Sequence, residues 1–211
     1  MSKSCCSHSA PATPVVDPRY RRVLWIALWV NAAMFAIEIA SSLASGSASL
    51  LADAVDFAGD ASNYALSLAA LATGALAWRL RAAQVKGWAM TAYGLAVLAH
   101  AAWSAWSGIV PGATTMGAVA LLALAANLSV AVLLFRFRRG DADMRSVWLC
   151  TRNDALGNVA VLVAALGVLG SGSGWPDHAV AVFMGLLALS AGVATLRQAA
   201  AELRVLRAQA A

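Results

Sequence analysis

Charge is scarce in this chain: only 12% of its 211 residues are Asp, Glu, Lys or Arg, against about 25% in an average soluble domain, while 61% are hydrophobic. That composition leaves no room for a sizeable soluble domain, so the work of the protein is done in a bilayer. Cysteine is almost absent. Cys5 and Cys6 are adjacent and Cys150 lies far from them, which makes no disulfide framework. No nucleophile and base stand at a recognisable spacing, so a hydrolytic enzyme has little support and the chain is read as a non-enzyme. No short apolar core followed by a small-residue cleavage site opens the chain, so no removable signal peptide is expected.

What is there is a set of apolar runs of membrane-spanning length, about six in number, over 23–43, 50–71, 88–106, 116–135, 146–169 and 179–196. The fold class is therefore all-α, a polytopic bundle of six transmembrane helices. The net charge of +5 is no nucleic-acid signal, because the basic residues cluster at the ends of these runs. Arg19, Arg21 and Arg22 precede the first; Arg79, Arg81 and Lys86 lie between the second and third; Arg136, Arg138, Arg139 and Arg145 lie between the fourth and fifth; Arg197, Arg204 and Arg207 follow the sixth. The other connections carry none. By the positive-inside rule both termini are cytoplasmic, and the compact form of the chain suits a bacterial inner membrane.

Against this background the segment LLADAVDFAGDASNY is anomalous, since it sets Asp53, Asp56 and Asp60 inside a span. Steps of three and four residues put all three on one helical face. A carboxylate in hydrocarbon is expected only where it meets a water-filled cavity, a partner or a cation. The fifth run carries a second anomaly, SVWLCTRNDALGN, with Cys150, Arg152, Asn153, Asp154 and Asn158 in its first turns. Cys150 and Asp154 are four apart and share a face, as Asp56 and Asp60 do. If the two helices pack together, four ligand atoms converge near mid-membrane, in a mixed carboxylate and sulfur set that suits zinc and its neighbours better than calcium. Such ligands also bind protons in competition with metal, which favours an exporter driven by proton entry.

The remaining polar residues are spread through the spans. Asn31 and Glu38 share an inward face of the first, Asn63 continues the aspartate stripe, and Asn127 and Asn158 interrupt the fourth and fifth. These are read as polar glue rather than direct ligands. His100 in the third run is read as a histidine hydrogen-bonded near the interface, and the small residues of that run as a candidate subunit contact. Pro176 and Asp177 suit a helix start. In the polar, Pro-rich tail Cys5, Cys6 and His8 stand close together, a set able to capture a thiophilic ion transiently or to be incidental to a disordered tail. Residues 77–86 and 136–145 read as basic loops, and the segment after the sixth run as a short amphipathic tail.

The run SGSASLLADAVDFAGDASN resembles the second-span signature of the cation diffusion facilitators, and CTRNDALGNVAVLVAALG resembles that family's fifth-span signature, usually His, three residues, then Asp. Glu38, Asn127 and Asp177 also fall where the family tends to have those types, and the likeness extends over residues 21–203. It implies a six-helix bundle, usually a homodimer, that exports divalent transition metals in exchange for protons, with lipid as its surroundings and no permanently bound cofactor. Carried onto this chain, the central site is Asp56, Asp60 and Asp154. Cys150 stands where histidine is usual, which leaves three arrangements open. It ligates and favours softer ions; Asn153 supplies an oxygen and Cys150 only packs; or Arg152 pairs with an aspartate. Asp53, outside the ligand pair, is an extra ligand, an entry-site proton acceptor or, more in keeping with the family pattern, a brace. The domain organisation that follows is a tail over 1–20, a transporter domain over 21–203 and a tail over 204–211, a short form without the family's C-terminal cytoplasmic domain. Rival functions are a non-transporting metal-binding or sensing protein and an exporter of a small organic cation.

Overall fold

The computed structural model describes residues 18–73, 76–137 and 142–210. They form six helices and, among the described residues, no strand: α1 (Pro18–Ser45), α2 (Ala48–Thr73), α3 (Leu76–Trp106), α4 (Ala113–Phe135), α5 (Ala142–Ser171) and α6 (Trp175–Ala210). Among the described residues, four segments are long and apolar enough to cross a membrane by themselves: Pro18–Ser45, Ala113–Phe135, Asp154–Ser171 and Trp175–Ala201. α2 carries the three aspartates.

The helices extend further than the apolar runs. The expected basic loop over 77–86 lies inside α3, because AWRLRAAQVK contains no Pro or Gly and is rich in good helix formers. Residues 142–145 of the second basic stretch belong to α5 for the same reason, and the tail continues α6 as far as Ala210.

Burial follows a narrow stripe on an otherwise apolar helix, the pattern of a span with one face on its neighbours and the rest on lipid. On α1 the stripe is Tyr20, Leu24, Ala27, Asn31, Met34, Glu38 and Ser42; on α4 it is Met116, Ala120, Ala123, Asn127, Val130 and Leu134. Both step by threes and fours, the seam of nearly parallel packed helices. Large apolar side chains such as Trp29, Leu121, Val132 and Leu166 face outward.

Four helices close a ring in which α1 packs on α2, α2 on α5, α5 on α4 and α4 on α1, while α3 and α6 pair intimately and lie against α2. Glycine sets the closeness of that pair. A Cβ on Gly94 would stand 2.9 Å from the backbone N of Leu189, and one on Gly192 would stand 2.8 Å from the backbone N of Thr91. Gly94 of the third span therefore serves a contact within the chain, against α6, while Ala89, Ala92, Ala96 and Ala99 of the same span stay exposed. Its tryptophans, Trp88, Trp103 and Trp106, remain on the outside.

α2 meets both helices of the pair, while α5 meets α6 alone, and the start of α2 is strongly fixed. Gly46, at φ +71°, ends α1 in the left-handed conformation that glycine accepts without strain. Ser47 then caps α2, its Oγ accepting from Leu50 N at 3.1 Å. Asp177, in the first turn of α6, accepts from Ala48 N at 2.8 Å, Ser49 N at 3.0 Å and Ser47 Oγ at 2.7 Å. Three backbone donors that helix geometry leaves unpaired thus find acceptors, and a carboxylate sits at the positive end of the α2 dipole. Asp177 does open α6, as expected, but its carboxylate serves α2.

Candidate functional site

Each helix of the ring turns one or more polar side chains inward. α1 contributes Glu38, α2 Asp53 and Asp60, α5 Asn158 and α4 Asn127, all buried; Asp56 and Asp154 are half-buried. The sequence places them there by register. Asn31 and Glu38, seven apart, belong to the buried stripe of α1, and Asn127 interrupts the stripe of α4.

A hydrogen-bonded chain runs across three helices. Asn127 Nδ2 donates to Asn158 Oδ1 at 2.8 Å, and Asn158 Nδ2 donates to Asp53 Oδ2 at 2.7 Å and Oδ1 at 2.9 Å. Asp53 is thereby satisfied by an amide and held as a brace between α2 and α5. Glu38 approaches it from α1, carboxyl to carboxyl. Asn31 spends its amide on Ala27 O of its own helix at 2.8 Å.

One to two turns further along α2, toward residues 77–86, Asp60 Oδ2 accepts from the hydroxyl of Tyr64 at 2.9 Å, and that hydroxyl lies 2.6 Å from Thr151 Oγ1 on α5. Asp154, three residues after Thr151, lies close to Asp60 and Asp56. Its Oδ2 is buried and has no hydrogen-bond partner. Asp56 also abuts α5: a Cβ on Gly157 would stand 3.8 Å from Asp56 Oδ2 and 3.9 Å from Asp53 Oδ1. The α5 backbone thus passes within about one side-chain atom of both carboxylates, at a spacing that a Cβ at 157 would fill without a clash.

Of the residues singled out in the sequence, Asp53, Asp56, Asp60 and Asp154 come to the same α2–α5 interface. They form a seam along it. Among the described residues no three Asp, Glu, His or Cys side chains close on one point tightly enough to hold an ion. The side chains of Cys150, Arg152 and Asn153, and all of Cys5, Cys6 and His8, lie outside the described residues. His100 departs from expectation, because its Nε2 is buried without a partner; the hydrogen-bonded histidine is His178, whose Nε2 lies 2.9 Å from Ser104 Oγ. Sequence reasoning missed Tyr64 and Thr151. The spacing of four between Asp60 and Tyr64 was the available signal, and it carries weight only when an acceptor and a second hydroxyl are known to face it.

Compared with known proteins, residues 82–204 match the family described as the cation efflux transmembrane domain. No curated protein matches the chain. The matched segment covers more than half of the chain and includes Asp154, Asn158 and Asp177, while the α2 aspartates precede it. With four segments of spanning length among the described residues, a polar seam enclosed by α1, α2, α4 and α5 and that family match, the chain belongs to the cation efflux family and is an integral membrane cation efflux transporter.

Proposed function

We propose that the transported cation is a divalent transition metal of the zinc, cobalt, cadmium and nickel class, exchanged for protons at carboxylates shared by α2 and α5. The observation that carries this reading is Asp154, whose buried, unpartnered Oδ2 belongs to a carboxylate turned toward Asp60 and Asp56. Several negative charges enclosed this closely are tolerated only with compensating positive charge, which a metal ion or protons supply in turn. Alternation between the two keeps the seam near neutral throughout a cycle, so exchange avoids the cost of emptying it.

Asp56, Asp60 and Asp154 serve as oxygen ligands. Asp53 is left out because both of its oxygens are engaged by Asn158. Since the three do not close on one point here, capture of the ion draws α2 and α5 together, with Cys150 completing a tetrahedral set. Protons entering from the side opposite the basic segments displace the ion, and their loss to the cytoplasm restores the carboxylates. In this reading both termini are cytoplasmic, the membrane is a bacterial inner membrane, and two copies pair through their helices.

The test is a titration of the purified protein with zinc, cadmium, cobalt, nickel, manganese and iron, with flux measured in proteoliposomes. Cys150→Ser is expected to weaken cadmium binding by about tenfold or more, roughly 1.4 kcal/mol, and manganese binding far less. Cys150→His is expected to keep zinc and lose the cadmium preference. Equal effects on all six ions would remove Cys150 from the site, and binding without flux would make the chain a sensor.

A further inference from the structure

Tyr64 is 1% exposed and its ring packs with Tyr20, Leu24, Leu68, Val130 and Leu134, an ordinary core position for an aromatic ring. Its hydroxyl is placed differently. It donates to Asp60 Oδ2 at 2.9 Å and lies 2.6 Å from Thr151 Oγ1, itself fully buried. A phenol has one proton. With that proton on Asp60, the short contact to Thr151 requires the threonine hydroxyl to donate, so the order is Thr151 to Tyr64 to Asp60. Spacing gives the bridge its position: Tyr64 follows Asp60 by four residues on α2 and Thr151 precedes Asp154 by three on α5. The crosspiece therefore joins the two helices about one turn from the facing carboxylates, on the side of residues 77–86.

We infer that Tyr64 is a positioning residue for the transported ion: its hydroxyl, aimed by Thr151, fixes the plane of the Asp60 carboxylate and the register of α2 against α5. The inference rests on the reading of Asp60 as a ligand. A hydrogen bond that orients a ligand carboxylate stiffens the site before the ion arrives, and loss of such partners typically weakens metal binding by about ten- to a hundredfold. On Asp60, Thr151 acts through Tyr64, so its effect on zinc affinity should be felt only while the phenol is present.

The test uses the full chain in proteoliposomes with zinc as the probe, measuring KM and kcat of zinc-driven flux and zinc Kd in detergent. Tyr64→Phe keeps the ring in its cluster and is expected to raise KM and Kd by about ten- to a hundredfold with a smaller change in kcat. Thr151→Val should act in the same direction, Thr151→Ser should restore wild-type values, and Tyr64→Phe with Thr151→Val should be no worse than Tyr64→Phe alone. Wild-type KM and Kd in Tyr64→Phe, or losses that add in the double variant, overturn the inference. Should Tyr64→Phe fail to fold, the Thr151→Val and Thr151→Ser pair decides by the same measures. Asp60→Ala separates the two levels: flux lost there with Tyr64→Phe unaffected defeats this inference alone, and flux retained there defeats the ligand reading itself.

Discussion

Asp154→Ala is expected to abolish metal-dependent proton flux in proteoliposomes, a loss of a hundredfold or more on the order of removing a metal ligand outright, while leaving the protein folded. Asp60→Ala is expected to do the same. Stability makes the Asp154 variant the sharper of the two. A residue kept for packing or bracing costs stability when it is truncated, but the Asp154 carboxylate has a buried oxygen with no partner and other carboxylates opposite it. Its removal takes away a buried acceptor that lacks a donor and relieves the crowding of carboxylates, so the midpoint of thermal unfolding in detergent should stay level or rise. Asp60 accepts from Tyr64, and its truncation leaves that hydroxyl without its acceptor, so a small drop is expected there. Flux at the wild-type rate in either variant contradicts the proposed site. Lost flux with a collapsed midpoint for Asp154→Ala points to a structural role instead.

Asn158→Leu should behave in the opposite way. The side chain is of similar size, but the exchange deletes the donor to both oxygens of Asp53 and the acceptor of Asn127. It leaves a carboxylate that is 1% exposed, with Glu38 beside it, facing hydrocarbon. Breaking a buried charged network on one side costs about 3–5 kcal/mol, enough to lower the unfolding midpoint steeply or to prevent accumulation of the protein. Adding Asp53→Ala removes the orphaned carboxylate and should recover much of the loss, since deleting both partners is far less costly than deleting one. A midpoint unchanged in Asn158→Leu would mean that the amide bridge contributes nothing to holding α2 on α5.

The contrast between Asp154 and Asn158 also shows what was legible in the chain. That Asp53, Asp56 and Asp60 share a face followed from spacing and from the cost of charge in a bilayer, whereas joining Asp154 to them rested on the resemblance of CTRNDALGN to the family's fifth span. The six helices followed from apolar runs, because in a membrane length and hydropathy leave little choice of structure. Their ends did not. Nothing in AWRLRAAQVK stops a helix, and a basic segment signals which side of the membrane it occupies without saying whether it is coiled. Spacing also does not say which of several aligned carboxylates finds a donor. Asp53 differs from Asp56 in meeting Asn158, on a helix about a hundred residues away in sequence. Asp177 is a similar case, since a carboxylate in a first turn ordinarily serves its own helix, and here the start of α2 lies within its reach. The small residues of the third span predicted close approach, and Gly94 makes one against α6, because a small-residue face fits a helix of the same chain as well as one from a second copy.

The central claim is that α2 and α5 jointly bind the exported ion, and its most direct test is the number of zinc ions bound per chain at equilibrium in the purified protein. The wild type should bind zinc at the seam, and a variant with Asp60→Asn and Asp154→Asn together should lose one equivalent per chain while its unfolding midpoint is maintained. An unchanged number of bound ions in that folded double variant would place the transported cation elsewhere.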